Sequence, residues 1–380
     1  MPLLIEGALL SGRRIVRGSV AVVDGVLSAR GPRRARRVLP AGWIVAPGLV
    51  DLQVNGFAGA QIGDDPAQIA AVAAALPRAG VTAFCPTLVS RSDGAYRRAA
   101  RALRGAPAAP GAARMLGPHL EGPFLAPGRR GAHDAAALRD PAPGDLDRML
   151  DAFSPAVLTL APERPGGLEA VRRARRRCVV AVGHTDADAD QGRAAIAAGA
   201  RLLTHALNAM RGLESREPSA LAAFLAHPRA RVSLIGDGVH VAPEVAVALA
   251  RAAGRRLILV SDAAAPAGAP PGRYHLGRLA VDSDGRRVSA AGRLAGSAAG
   301  LDRGPATLVG AGLARASALA AATEAPRRLL GLPPGLTPGG PADLVVLDSG
   351  MVPRLTLVGG VVAHADPELP FDVPGVGTRA

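Results

Sequence analysis

From Ile44 onward the chain alternates between short apolar runs and helix-like stretches, and does so eight times. The apolar runs cover 44–55, 81–88, 114–121, 156–163, 178–184, 201–207, 231–239 and 256–262. Amphipathic or Ala-rich stretches such as 66–79, 168–177, 188–198, 218–226 and 243–253 lie between them, several opening with Pro or Asp as helix starts do. Eight strand–helix units of this kind predict an α/β fold, a (β/α)8 TIM barrel.

A doubly wound open sheet has the same period, so periodicity alone does not separate the two. The polar positions favour the barrel. Asn55, Glu121, His184, His205, His240 and Asp262 each fall at or just after the C-terminal end of a separate run, where barrels assemble their sites. Outside this region, 3–39 alternates as β-strands with a turn near Asp24 and Gly25, and 342–348 and 355–363 read as two further strands. Residues 1–47 with 339–380 are expected to form one small, discontinuous β-sandwich domain beside a catalytic barrel of 48–338. The Gly-, Ser- and Asp-rich stretch 263–300 reads as a hairpin and loop over the barrel mouth. No repeat beyond the strand–helix period is evident.

Composition narrows the function classes. The formal charge of +14 ordinarily points to nucleic acid or anionic lipid. All 45 basic residues are Arg, however, and they are scattered, with local runs only at 33–37 and 172–177, the second fitting the solvated end of a helix. Aromatic residues make up only 2%, leaving little to stack on bases. Neither a nucleic-acid nor a membrane partner is expected. Cys85 and Cys178 show no disulfide or zinc-ribbon spacing and read as buried free thiols. No apolar run approaches about 18 residues, so a cytoplasmic protein is expected.

The strand-end residues carry the candidate chemistry. Glu121 sits in His119-Leu120-Glu121-Gly122-Pro123, and taken alone it reads as a capping or ion-paired carboxylate. His184 and His205 end consecutive runs, and with Glu121 they make a two-imidazole, one-carboxylate metal site with a coordination position left open. A divalent ion in such a site lowers the pKa of its water to about 7, which suits hydrolysis. Asp262, at the tip of the eighth run, is placed to take that proton and hand it to a leaving amine. His133, Arg216 and His240 are candidate substrate contacts; on residue type alone Arg216, one of 45 arginines, reads as surface charge.

Taken together, Ala46-Pro47-Gly48-Leu49-Val50-Asp51, Leu120-Glu121-Gly122-Pro123, Gly183-His184-Thr185, Thr204-His205-Ala206-Leu207-Asn208-Ala209-Met210, Asp237-Gly238-Val239-His240, Ser261-Asp262-Ala263 with Pro266-Ala267-Gly268, and Pro341-Ala342-Asp343-Leu344 resemble the N-acetylglucosamine-6-phosphate deacetylases of the amidohydrolase superfamily. The resemblance implies one metal, zinc or ferrous iron with zinc preferred, on Glu121, His184 and His205, and Asp262 as general base and then acid. It also implies substrate contacts from Ala132 and His133 at the acetamide or sugar, and from Asn208 and Ala209 at the phosphorylated end. Arg216 and His240 would bind phosphate, and Leu294, Ala295 and Gly296 would supply a backbone loop over the sugar. A homodimer is implied, with Arg216 reaching the neighbouring site.

Many superfamily members have His-x-His after the first strand, whereas this chain has Gln53-Val54-Asn55. Two imidazoles are missing, which disfavours a second metal. The absence of Lys removes any carboxylated-lysine bridge, which weakens dihydroorotase-like and hydantoinase-like readings. Phe124 stands where a Trp often follows the Glu-Gly-Pro turn, so the galactosamine epimer is the alternative substrate. Another mononuclear amidohydrolase, acting on an unphosphorylated amide or cyclic ureide, is the runner-up enzyme, and a noncatalytic basic nucleic-acid binder the runner-up from another class.

Overall fold

The computed structural model describes residues 2–31 and 35–373, so Arg33, Arg34 and the segment 374–380 of the expected terminal domain lie outside the described residues. Eight parallel strands form the barrel: Leu49–Val54, Val81–Val89, His119–Glu121, Val157–Leu160, Val179–Val182, Leu202–Leu203, Arg231–Ile235 and Leu257–Val260. Each of the second to eighth pairs with its predecessor, and a bridge between Val54 and Ala263 returns the eighth to the first.

Alternation along the strands explains the layering. Val179 and Ala181 join Ile258 and Val260 in a core inside the barrel, whereas Val180, Val182, Leu257 and Leu259 pack outward beneath the helices. Parallel strands covered on both faces bury every position, so they read as continuous apolar runs. The helices start where their caps dictate. Asp188 and Gln191 form a reciprocal capping box for Ala189–Ala198, and Pro occupies the first turn of Pro66–Ala75, Pro143–Phe153 and Pro243–Ala253.

Two expected runs divide. The run 44–55 breaks at Gly48, where a Cβ would fall 2.1 Å from the Thr82 hydroxyl: Ile44–Pro47 joins the terminal sheet and Leu49–Val54 the barrel. The run 114–121 becomes Arg114–Met115, which flanks the second barrel strand, and His119–Glu121. Cys178 is only half-buried, unlike Cys85.

The terminal segments build an eight-stranded sheet in the order Val361–Ala365, Pro353–Val358, Leu344–Leu347, Ile44–Pro47, Leu3–Ser11, Arg14–Val23, Val26–Ser28, with Arg36–Val38 also on Leu3–Ser11. It closes over its own core of Leu3, Ile5, Val22, Val45, Leu344 and Leu357, with the Leu27 N–H donating to the Gly340 carbonyl at 2.9 Å. This is the small sandwich beside the barrel. Over the mouth, 263–300 carries a four-stranded antiparallel meander instead of a single hairpin, with strands Gly272–Leu276, Leu279–Ser283, Arg287–Ala290 and Arg293–Ser297.

Candidate metal centre

Strict alternation carries Glu121 and Asp262 inward from the third and eighth strands, because His119 and Val260, two residues earlier, already face in. It would point His184 and His205 the other way. Both instead adopt left-handed backbone, with φ of 49° and 28°, as does Asp262 at 50°. Such geometry in non-glycine residues is costly and collects at functional sites. The turns bring three donor atoms together, all within 4.8 Å of one another. Glu121 Oε1 lies 3.2 Å from His184 Nε2 and 3.0 Å from His205 Nε2, and the two imidazole nitrogens are 3.1 Å apart.

The donor set fits a cation. His184 Nδ1 donates to the Arg129 carbonyl at 2.8 Å, which leaves its Nε2 as a lone pair facing a second imidazole nitrogen and a carboxylate. All three side chains are buried. Burial alone would raise the Glu121 carboxyl, but the neighbouring His133, His184 and His205 imidazoles hold it well below the usual carboxylate range. Gly131, with φ of 58°, lets its loop approach to where a Cβ would sit 3.3 Å from the His184 ring.

Gln53 and Asn55, which replace two imidazoles, have work of their own. The Gln53 amide donates to Glu121 Oε1 at 2.9 Å and to Asp262 Oδ1 at 3.0 Å, and Asn55 donates to the same Asp262 oxygen at 2.7 Å. Asp262 is thus held one amide nitrogen away from the donor cluster. Burial, then repulsion by Glu121, pushes its carboxyl up to about 6.

His133 is buried at the same wall, its Nδ1 accepting from the Ser90 N–H at 3.1 Å and its Nε2 3.6 Å from Glu121 Oε2. Burial and the neighbouring His184 push it down to about 4, so it presents a neutral N–H. On the opposite side Asp237 Oδ2 accepts from His240 Nδ1 and from Ser297 Oγ, each at 2.8 Å. Burial would raise Asp237, but the hydrogen bond and charge of His240 bring it to about 2.

The metal-centre side chains, with Asn55, His133, His240 and Asp262, line a cavity of about 300 Å3. Of the residues expected from sequence, Glu121, Ala132, His133, His184, His205, Asn208, Ala209, His240, Asp262, Leu294, Ala295 and Gly296 all border it. Arg216 does not; it stands exposed in the loop between the sixth strand and Ala220–Ala226. Sequence reasoning missed Arg129 and Arg293, which also line the cavity, and the clamping roles of Gln53 and Asn55. It also missed His119, which bridges the Leu52 carbonyl and the Thr159 hydroxyl beneath Glu121. The signal for Gln53 and Asn55 was available: two amides at the first strand tip are donors facing acids.

An α/β barrel with a buried Glu-His-His set and a clamped aspartate at its mouth has the architecture of the metal-dependent barrel hydrolases. The chain matches the amidohydrolase family model over residues 44–363 and belongs to that family, within it to the N-acetylglucosamine-6-phosphate deacetylases. It is 35% identical to human N-acetylglucosamine-6-phosphate deacetylase, over 86% of this chain and 85% of that one. It is 36% identical to N-acetylgalactosamine-6-phosphate deacetylase of Escherichia coli O157:H7, over 87% and 90%. The structure of N-acetyl-D-glucosamine-6-phosphate deacetylase D267A mutant from Mycobacterium smegmatis, in complex with N-acetyl-D-glucosamine-6-phosphate, superposes with a TM-score of 0.88 at 34% identity, covering 95% of this chain and 99% of that one.

Proposed function

We propose that the protein hydrolyses the acetamide of N-acetylglucosamine 6-phosphate to glucosamine 6-phosphate and acetate, as an enzyme of amino-sugar catabolism. The carrying observation is the convergence of Glu121, His184 and His205 on one point, with Asp262 clamped beside it. These three residues would hold one divalent ion, zinc by preference since imidazole and carboxylate suit it. Such an ion supplies Lewis acidity to the amide carbonyl and to the attacking water.

Asp262 takes the water's proton and returns it to the nitrogen of the departing amino sugar. Gln53 and Asn55 aim one Asp262 oxygen by donating to it, leaving the other for the proton. His133, neutral, donates from Nε2 to the acetamide or a sugar hydroxyl. Ala132, Leu294, Ala295 and Gly296 contribute backbone around the sugar, and Asn208 and Ala209 face its phosphorylated end.

His240, steered by Asp237, meets the phosphate together with Arg216 of a second copy of this chain. The exposure of Arg216 and of the neighbouring Leu213, which is 57% exposed, supports a homodimer that covers this loop. We read the protein as two domains, 1–47 with 339–380 and 48–338, and as cytoplasmic; among the described residues no helix is long and apolar enough to cross a membrane.

Acetate release from the gluco and galacto forms of N-acetylhexosamine, each with and without 6-phosphate, tests the assignment. The gluco 6-phosphate should be turned over most efficiently. Failure of the metal-loaded protein to release acetate from either 6-phosphate would sink it, and a preference for the galacto form would move the assignment to the epimer. Chelation should abolish turnover and lower Tm, with both restored by zinc.

A further inference from the structure

A second, larger hollow of about 1180 Å3 lies at the other end of the barrel. Arg201, Arg231 and Arg256 border it from the N-terminal ends of the sixth, seventh and eighth strands, whereas the metal centre occupies C-terminal ends. Among the described residues nine arginines and His227 line it, and no Asp or Glu does.

Local structure accounts for two of these cations. Arg256 donates to the carbonyls of Phe224, Leu225 and Ala230, and Arg193 pairs with Asp190. Arg175, Arg176, Arg201, Arg229, Arg231, Arg255 and Arg328 have no side-chain hydrogen bond or ion pair among the described residues. Elsewhere Arg177 meets Asp151 and Arg354 meets Asp348, Asp366 and Glu368. Burial together with repulsion from Arg328 and Arg201 lowers the Arg231 guanidinium, and Arg255 and Arg328 act likewise on nearby Arg13. Uncompensated like charge around a concavity is the electrostatic complement of a multivalent anion.

The shape and lining narrow the class. Guanidinium forks match phosphate oxygens bidentately. Among the described residues no aromatic side chain lines the hollow, so a base has nothing to stack on. We infer that this hollow is a binding site for a compact polyanion carrying several linked phosphates, recognised through charge and separate from the deacetylation centre. An inorganic phosphate chain and the triphosphate of a nucleotide share that chemistry.

Calorimetry on the zinc-loaded full chain, with tripolyphosphate or ATP in excess magnesium at about 150 mM salt, provides the test. Saturable binding, a rise in Tm and affinity falling steeply with salt are expected. Equal affinities assign the site to the phosphate chain itself and tighter ATP binding to a nucleotide, and either outcome retains it. The Arg231→Ser/Arg328→Ser variant should bind at least tenfold more weakly while its deacetylase turnover is unchanged. If that variant fails to fold, Arg201→Gln/Arg255→Gln, whose side chains are exposed, gives the same reading. Absence of saturable binding, unaltered affinity in a folded variant, or stronger binding of a single-stranded oligonucleotide that displaces tripolyphosphate would overturn the inference.

Discussion

In the proposed mechanism Asp262 exchanges a proton twice in one turnover, and its surroundings suit that role. Burial and Glu121 favour the protonated form, while the Asn55 hydrogen bond favours the ionised one. Asp262→Asn should retain the metal, measured by elemental analysis, while turnover falls roughly a hundred- to ten-thousandfold; a near-normal rate would remove Asp262 from the mechanism. Because the proposed base would work ionised and a bound cation would lower its pKa, kcat/KM should decline on the acid side, at or below about pH 6. Asp51 offers a stability counterpart. Its Oδ1 accepts the N–H groups of Gln53 and Ser261, each at 3.2 Å, while burial pushes the carboxyl up to about 7. The unfolded value is about 3.9, so the folded chain holds this proton more tightly. That stabilisation is full below about pH 4 and lost as pH rises through about 7. Asp51→Asn should therefore gain on the wild type in urea midpoint between pH 5 and 8, and a constant gap over that range would contradict the raised value.

The strand tips do what the strands cannot. The left-handed turns at His184 and His205 rotate these imidazoles into the mouth against the two-residue alternation. They depend on small neighbours: at Gly183 a Cβ would lie 2.7 Å from the Thr204 Cβ and 2.9 Å from Thr159 Cγ2. Gly183→Val should cost about 1–3 kcal/mol in denaturant unfolding through overpacking, and should lower metal content because His184 shifts with it. A variant with full metal occupancy would show that the tip adjusts without moving its ligand.

For the whole molecule, the proposed dimer makes a distinctive prediction. Arg216→Ala should raise KM for the phosphorylated sugar about ten- to a hundredfold, the worth of a charge-assisted contact. Mixing Arg216→Ala with Asp262→Asn should restore activity if subunits exchange, because one site of each heterodimer then has Asp262 from one chain and Arg216 from the other. Mixtures no more active than their separate components would show that Arg216 serves no neighbouring site. The barrel's two ends would then bind different anions, a monophosphate at the mouth and a polyphosphate at the base.

Much of this was legible because strands covered on both faces must be apolar, and their tips are where polar residues are allowed. The eight runs, and Glu121, His184, His205 and Asp262 at four tips, followed from that constraint. The split at Gly48 did not, because Ile44–Pro47 and Leu49–Val54 are equally apolar and only the approach of Thr82 separates them. Gln53 and Asn55 read as missing ligands, yet as donors they steer the acid. The arginines looked scattered because their spacing along the chain conceals that successive helix-to-strand turns share one end of the barrel. The sequence by itself determined which elements form and which residues reach the strand tips, since hydrophobic period and side-chain chemistry are local. Only the tertiary structure decided which of those groups meet, because ring closure and left-handed backbone set distances between residues far apart in the chain.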